Sequence, residues 1–218
     1  MSSAATRTEV DAFLARLIED ELAIFATAVV DSGGVVTWPQ PTGYARFLLD
    51  PSTPSIKDYR WWVSNGMYSA MLTDGSLLQI TYAYDHNYLL SHRLAYVPCP
   101  FTIPAEELQS DPLIETFDRY ASKGADVVLP RSMIRFDYDR HGQGVGHPAA
   151  HLTVNSLDCR VPCAAPLRLG RFVAFVFRHF YPGTAAKYPW VMGMPAGPLV
   201  EHTISEHERS ETHIYWPR

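Results

Sequence analysis

The sequence contains no long apolar segment. Its richest stretch within the 218 residues, residues 167–181, is interrupted by three arginines and one histidine, whereas a transmembrane helix needs about 18 or more consecutive apolar residues. The N-terminus leads directly into a charged amphipathic stretch, without the apolar core of a secretory signal. We therefore expect a soluble, cytoplasmic protein with no membrane contact.

Cysteine is scarce, and neither charge sign dominates. Cys99, Cys159 and Cys163 are too few, and odd in number, for a disulfide framework. Acidic residues outnumber basic ones by 23 to 18, which gives a formal net charge of −5. This charge balance disfavours extended, sequence-independent binding of nucleic acid, because such binding neutralises many phosphates. A local basic stripe on the surface is still compatible with this net charge.

The well-marked catalytic signatures are also absent. The chain has no Gly-x-Ser-x-Gly elbow, no phosphate-binding P-loop, no dinucleotide fingerprint and no Cys-x-x-Cys pair. What it does have is a globular composition, with 47% hydrophobic and 19% charged residues. Such a composition predicts a packed core and excludes a disordered or fibrous chain.

The hydrophobic patterns predict alternating helical and extended segments. Apolar residues at helical spacing from Val10 to Val29 predict an amphipathic helix that ends at Gly33-Gly34. Short strands are expected at residues 35–38 and 44–49. Residues 59–97 then predict a three-stranded antiparallel meander, with one turn at Asp74-Gly75 and another at residues 85–87.

The patterns in the second half of the sequence, taken with those of the first half, predict one α+β domain. Residues 104–123 favour one helix or two short ones, and the tail favours a hairpin ending at residues 214–216. Strands are expected at residues 132–139, 151–155 and 159–162, and an aromatic-rich helix near residues 167–181. We therefore predict a single domain over residues 1–218, in which a mainly antiparallel sheet packs against the N-terminal helix and this aromatic-rich helix.

The region between residues 135 and 163 concentrates groups capable of chemistry. Side chains two residues apart in a strand share a face, so Arg135, Asp137 and Asp139 should project from the same side. Clustered carboxylates beside an arginine suit acid/base or cation-binding roles. The alternative is a solvated outer face of a sheet that is covered on its other side.

His147 and His151, like Cys159 and Cys163, lie four residues apart and are zinc-compatible ligand types. In extended structure, residues at this spacing are about 13 Å apart, too far to share one ion unless a turn intervenes. We therefore predict no metal site, with a structural zinc bound by these four residues as the alternative, and the patterns specify no cofactor.

A short motif points towards phosphate chemistry. His151-Leu152-Thr153-Val154 resembles the His-hydrophobic-Thr-hydrophobic motif of the two-histidine phosphoesterases, in which paired histidines act as base and acid and threonines hold the phosphate. That family carries the motif twice, and neither residues 202–204 nor residues 92–94 supply a second copy. The alternative is a structural histidine in a strand.

One hypothesis that follows is an enzyme acting on a phosphate-containing substrate, such as RNA or a nucleotide. His151 or His147 would transfer protons, Asp137 and Asp139 would orient the histidine or hold a cation, and Arg160 would stabilise negative charge. A second group of ligand-binding candidates is Arg168, Arg171 and Arg178, which could clamp a phosphate or an acidic partner if they are not simply a solvated helix face. The tail, residues 201–213, is rich in histidine and glutamate.

The leading hypothesis is an accessory protein that acts through binding a protein partner or a second copy of itself. It rests on the missing catalytic signatures and on four tryptophans, residues of a type enriched at interaction hot spots: Trp61, Trp62, Trp190 and Trp216. The alternative is that these tryptophans belong to the core.

Several segments of the second half resemble an uncharacterised family of bacterial proteins of about this length. They are Arg-Phe-Asp-Tyr-Asp at 135–139, His147-Pro148, His151-Leu152, Cys-Arg-Val-Pro at 159–162 and the helix that ends in His-Phe-Tyr-Pro at 179–182. The resemblance implies a stand-alone bacterial protein of the cytosol and supplies no reaction or catalytic residue.

Overall fold

A computed structural model describes residues 1–39, 55–144, 146–155, 158–197, 199–200 and 202–216. This part contains eight α-helices and nine strands. The strand predicted at residues 44–49 lies outside the described residues. The helices are α1 (Ser3–Glu19), α2 (Ile56–Ser64), α3 (Ala105–Ser110), α4 (Leu113–Ala121), α5 (Leu169–Phe180), α6 (Pro182–Lys187), α7 (Trp190–Gly193) and α8 (Glu206–Arg209). The strands are β1 (Ala23–Ala26), β2 (Val30–Ser32), β3 (Val35–Thr37), β4 (Ala70–Leu72), β5 (Leu77–Asp85), β6 (Tyr88–Val97), β7 (Ile134–Asp139), β8 (Ala150–Val154) and β9 (Arg160–Pro162).

All nine strands belong to one antiparallel sheet. Its main order is β1-β4-β5-β6-β7-β8-β9, and β3 joins it by pairing with both β2 and the far end of β5. Most neighbours in the sheet are consecutive in sequence, because short turns such as Asp74-Gly75 connect them; Gly75 has a φ of +84°, which glycine adopts without strain. The predicted α+β class and the predicted meander from β4 to β6 are confirmed.

The N-terminal helix is shorter than predicted. α1 ends at Glu19, where the Leu22 N–H donates to the Leu17 carbonyl (2.8 Å) and the Glu21 N–H donates to the Ile18 carbonyl (3.1 Å). This is a Schellman motif, and its left-handed position is taken by Glu21 at φ 55°, not by a glycine. The predicted end at Gly33-Gly34 is therefore wrong, and those glycines form the turn between β2 and β3.

Two further segments differ from their predicted structure. The beginning of the expected first meander strand, residues 59–64, is helical because a capping box between Ser55 and Asp58 starts α2 there, and only β4 is extended. The expected hairpin in the tail is replaced by α8, and Ile214 pairs with Cys163 through an isolated bridge. The two predicted short helices α3 and α4 are present.

The two faces of the sheet have different surroundings. Helices α1 and α5 cover one face, where Phe172 of α5 contacts Phe136 of β7 edge-on at 6.4 Å between ring centroids. On the opposite face, α2 and α4 cover one end, where Ala95 and Val97 of β6 join their apolar cluster. Beyond Ala95 this second face becomes polar. We call the side chains there the polar face: Arg93, Arg135, Asp137, His151, Thr153 and Arg160.

No helix within the described ranges is long and apolar enough to cross a membrane.

His92 joins β6 to the segment that leads into α5. It lies on the α1 and α5 side of the sheet with 3% of its surface exposed, and its Nε2 accepts a hydrogen bond from the Leu167 N–H at 2.9 Å. Burial lowers its pKa from 6.5 to about 4, although the charge of Asp137 acts in the opposite direction. The rings of Tyr82 and Tyr138 pack beside it. His92 is therefore neutral in the folded protein at neutral pH.

We expect the protein to lose stability as the pH falls from 6.5 to 4. In this window the unfolded chain protonates His92 and the folded protein does not, so protonation favours unfolding. The loss attributable to His92 reaches about 3 kcal/mol at pH 4. Urea denaturation at pH 7 and pH 4.5 measures it. His92→Gln should reduce the difference between the two pH values, whereas the exposed His86→Gln should leave it unchanged; equal pH dependence in all three proteins would contradict the assignment.

Candidate active site

Asp137 is the centre of a buried ion-pair network on the polar face. Arg93, its cross-strand partner on β6, contacts Oδ1 through Nε at 2.8 Å, and Arg135 contacts Oδ2 through Nε at 2.5 Å. Burial acts to raise the pKa of Asp137, but the two guanidinium groups outweigh it and hold this pKa below its usual value. Asp137 and Arg135 are only 8% and 9% exposed. The alternative of a solvated outer face is therefore wrong for these two residues.

His151 lies opposite Asp137 on the neighbouring strand β8. Its Nε2 is 3.7 Å from Asp137 Oδ2, and its Nδ1 lies 2.8 Å from the Pro148 carbonyl oxygen. A carbonyl can only accept a hydrogen bond, so Nδ1 carries the proton and donates it. Burial lowers the pKa of His151, partly offset by Asp137. The imidazole is therefore neutral at neutral pH, with its Nε2 lone pair towards Asp137.

The glycine-rich loop, residues 140–148, presents a second histidine. Gly144 and His147 exchange two backbone hydrogen bonds of 3.0 Å, and Gly146 between them has a φ of +71°. This tight turn brings the His147 ring edge-to-face against that of His151, with 5.0 Å between the ring centroids. The loop thus forms a turn that holds His147 beside the polar face.

An open cavity of about 520 Å³ lies beside the polar face. His147 and Arg160 line one side of it, and three residues of the tail line another: His207, Glu208 and Glu211. Arg160 forms no ion pair with any residue the structure describes. Its Nε is buried without a hydrogen-bond partner in that part of the chain, as are Nδ1 of His147 and Oγ1 of Thr153. The guanidinium of Arg160 donates hydrogen bonds in a planar fork, so its place in the cavity wall is suited to an oxyanion.

The structure brings four of the five predicted catalytic residues together: Asp137, His147, His151 and Arg160. Asp139 does not join them. It is exposed at the end of β7, and its Oδ1 accepts a hydrogen bond from the backbone N–H of His141.

The three predicted ligand-binding arginines lie away from the polar face, on the α5 side of the sheet. Arg168 pairs with Glu9 of α1 at 3.2 Å, Arg171 lies over the Trp216 ring at 5.9 Å, and Arg178 is exposed. Arg168 and Arg171 therefore make separate contacts, and their role in ligand binding stays a prediction.

The zinc hypothesis finds no support in the geometry. Cys163 packs into the core beneath α1 and α5, on the other face from His151, and Cys159 is exposed. Burial raises the pKa of the Cys163 thiol to about 12, so it is protonated at neutral pH. The described ranges contain no group of three or more His, Cys, Asp or Glu residues that could hold a metal ion.

Sequence reasoning missed two contributors to this site. Arg93 contacts Asp137 only because β6 pairs with β7, and no local pattern reveals that register. The cavity wall formed by α8 and the residues after it is visible in the sequence only as a tail rich in histidine and glutamate. Nothing in that pattern indicates that the tail lies beside the glycine-rich loop.

A family model described as an uncharacterized conserved protein family, DUF2290, matches residues 19–216. The chain belongs to the DUF2290 family. The expected membership of an uncharacterised family is thereby confirmed, and the region that DUF2290 spans contains the whole polar face and the cavity beside it. No curated protein and no solved structure matches the chain.

Proposed function

We propose that this DUF2290 protein is a phosphate-directed hydrolase whose substrate binds at Arg160 and His147. The observation that carries the proposal is the guanidinium of Arg160, which lacks a carboxylate partner in the described structure and lies beside His147 in the wall of an open cavity. A guanidinium donates hydrogen bonds in a planar fork that matches phosphate oxygens. Nucleotide and RNA phosphodiesters are the substrate types suggested by the sequence.

His147 is the proton-transfer group in this proposal, since it lines the cavity and His151 lies behind it. A water oxygen attacks phosphorus and the ester P–O bond breaks. His147 donates a proton to the departing oxygen, the attacking water releases a proton to solvent, and His147 is reprotonated from solvent, so that a phosphodiester gives an alcohol and a phosphate monoester. Arg160 neutralises the charge that develops on the phosphoryl oxygens.

His151 acts as a positioning residue. Asp137 is held by Arg93 and Arg135, and it lies 3.7 Å from Nε2 of His151 without a hydrogen bond to it. The ring of His151 packs against that of His147, and its own orientation is held by the hydrogen bond that its Nδ1 donates to the Pro148 carbonyl. Such support keeps the catalytic imidazole in one rotamer and so reduces the cost of reaching the reactive geometry.

The test combines phosphate binding with ester hydrolysis. We expect the wild-type protein to bind inorganic phosphate in calorimetry and to hydrolyse p-nitrophenyl phosphate or bis(p-nitrophenyl) phosphate. Arg160→Met should weaken phosphate binding about tenfold or more, because a hydrogen-bonded ion contact is lost. The control Arg178→Met removes an exposed arginine from the far side of the sheet and should change nothing. Equal phosphate affinity in wild type and Arg160→Met would reject the site, and absence of hydrolysis would reject the enzyme.

The hypothesis of an accessory, partner-binding protein stays a prediction. Its sequence basis was the four tryptophans, and three of them are buried or only partly exposed. Trp62 is buried, Trp190 Nε1 donates to Asp20, and Trp216 Nε1 donates to the Ala165 carbonyl. Only Trp61 is substantially exposed, at 37%. These tryptophans therefore give the binding hypothesis no advantage over the hydrolase.

A further inference from the structure

We infer that the ligand of the cavity is a phosphate ester that also carries a protonated amine. This inference rests on the proposed function, because it places the phosphate at Arg160. It adds a second recognition element, the carboxylates of Glu208 and Glu211 in the same cavity.

The cavity has walls of opposite charge. Arg160 and His147 come from the sheet and its glycine-rich loop, whereas Glu208 and Glu211 come from α8 and the residues just after it. A ligand with one negative and one positive end matches this arrangement, and a ligand that is negative throughout meets repulsion at the second wall.

Local hydrogen bonds hold Glu208, one of the two carboxylates of the acidic wall, in place. In the capping box of α8, the Ser205 N–H donates to Glu208 Oε2 at 2.7 Å, and the Glu208 N–H donates to Ser205 Oγ at 3.2 Å. Glu211 is less constrained, with 60% of its side chain exposed and its Oε1 3.7 Å from His207 Nε2. Glu208 thus provides a fixed negative charge and Glu211 an adjustable one.

The size of the cavity also exceeds what a phosphate alone would fill. At about 520 Å³ it falls among the sites that hold small organic molecules, about 300–1,000 Å³. An organic cation suits the acidic wall better than a metal ion, because the described residues offer no cluster of three metal ligands. The cavity therefore has room for an alkyl chain that links a phosphate to an ammonium group.

Calorimetry with a matched set of phosphates tests the inference. The ligands are 2-aminoethyl, 3-aminopropyl and 4-aminobutyl phosphate, each compared with the alkyl phosphate of the same length that lacks the amine. We expect at least one aminoalkyl phosphate to bind about three- to fivefold more tightly than its alkyl counterpart, as an exposed ion pair allows. Glu211→Gln should reduce this preference, because only the carboxylate of Glu208 then remains in the acidic wall. Glu206→Gln, which removes an exposed carboxylate of the same helix, should retain it.

The outcomes separate this inference from the proposed function. If alkyl phosphates bind and the amine adds nothing, or if Glu211→Gln keeps the full preference, the amine inference is wrong and the phosphate site stands. If neither series binds, both are wrong. A preference for the amine that falls in Glu211→Gln and persists unchanged in Glu206→Gln supports the inference.

Discussion

Replacing Asp137 by asparagine is expected to lower the free energy of unfolding by about 3–5 kcal/mol. The substitution keeps the size of the side chain and removes the carboxylate that contacts both Arg93 and Arg135. The side chain of Arg135 is 11% exposed and that of Arg93 is 23% exposed, so water replaces the lost charge poorly. Breaking one member of a buried ion pair costs more than the pair contributes, because the remaining charge stays buried.

Urea denaturation of Asp137→Asn and Asp139→Asn measures this effect. Asp139 lies two residues further along β7 and is exposed, so its substitution should change the free energy of unfolding by no more than about 0.5 kcal/mol. Similar small values for both variants would mean that the polar face is solvated and that Asp137 does not organise it.

Replacing His147 by glutamine is expected to lower kcat/KM for phosphate-ester hydrolysis by about 10²- to 10⁴-fold, the usual contribution of a general acid or base. Glutamine has a similar size and forms hydrogen bonds, but it does not transfer protons near neutral pH. Arg160 remains in the cavity wall, so phosphate affinity should fall much less than the rate.

His141→Gln is the matched control, because His141 is exposed in the same loop and does not line the cavity. Its hydrolysis rate should equal that of the wild type, and thermal melts should show that both variants fold. Near-normal turnover by a folded His147→Gln variant would remove His147 from the mechanism.

The parts of the fold that could be predicted are those with local signals. Asp74-Gly75 marks a hairpin because its glycine adopts a positive φ, and α5 is visible from its aromatic periodicity. The end of α1 was missed because Glu21, a residue with no helix-ending signature, occupies the left-handed position. The helical start of residues 59–72 was missed because aromatic residues favour strands, while the deciding capping box at Ser55 and Asp58 lies upstream.

The candidate site was predictable only within one strand or one loop. Strand alternation correctly placed Arg135 and Asp137 on one face, and proximity in sequence linked His147 to His151. Whether that face is buried depends on the elements packed around it, which no local pattern reports. The pairing of Arg93 with Asp137 depends in the same way on long-range register.

The most direct test of the phosphate site is a crystal structure of the protein soaked with phosphate or with its heavier analogue tungstate. We expect the anion in the cavity, with oxygens about 3 Å from the guanidinium of Arg160 and from the imidazole of His147. An anion bound instead at Arg168, Arg171 or Arg178, or an empty cavity at millimolar anion with Arg160 accessible, would contradict it.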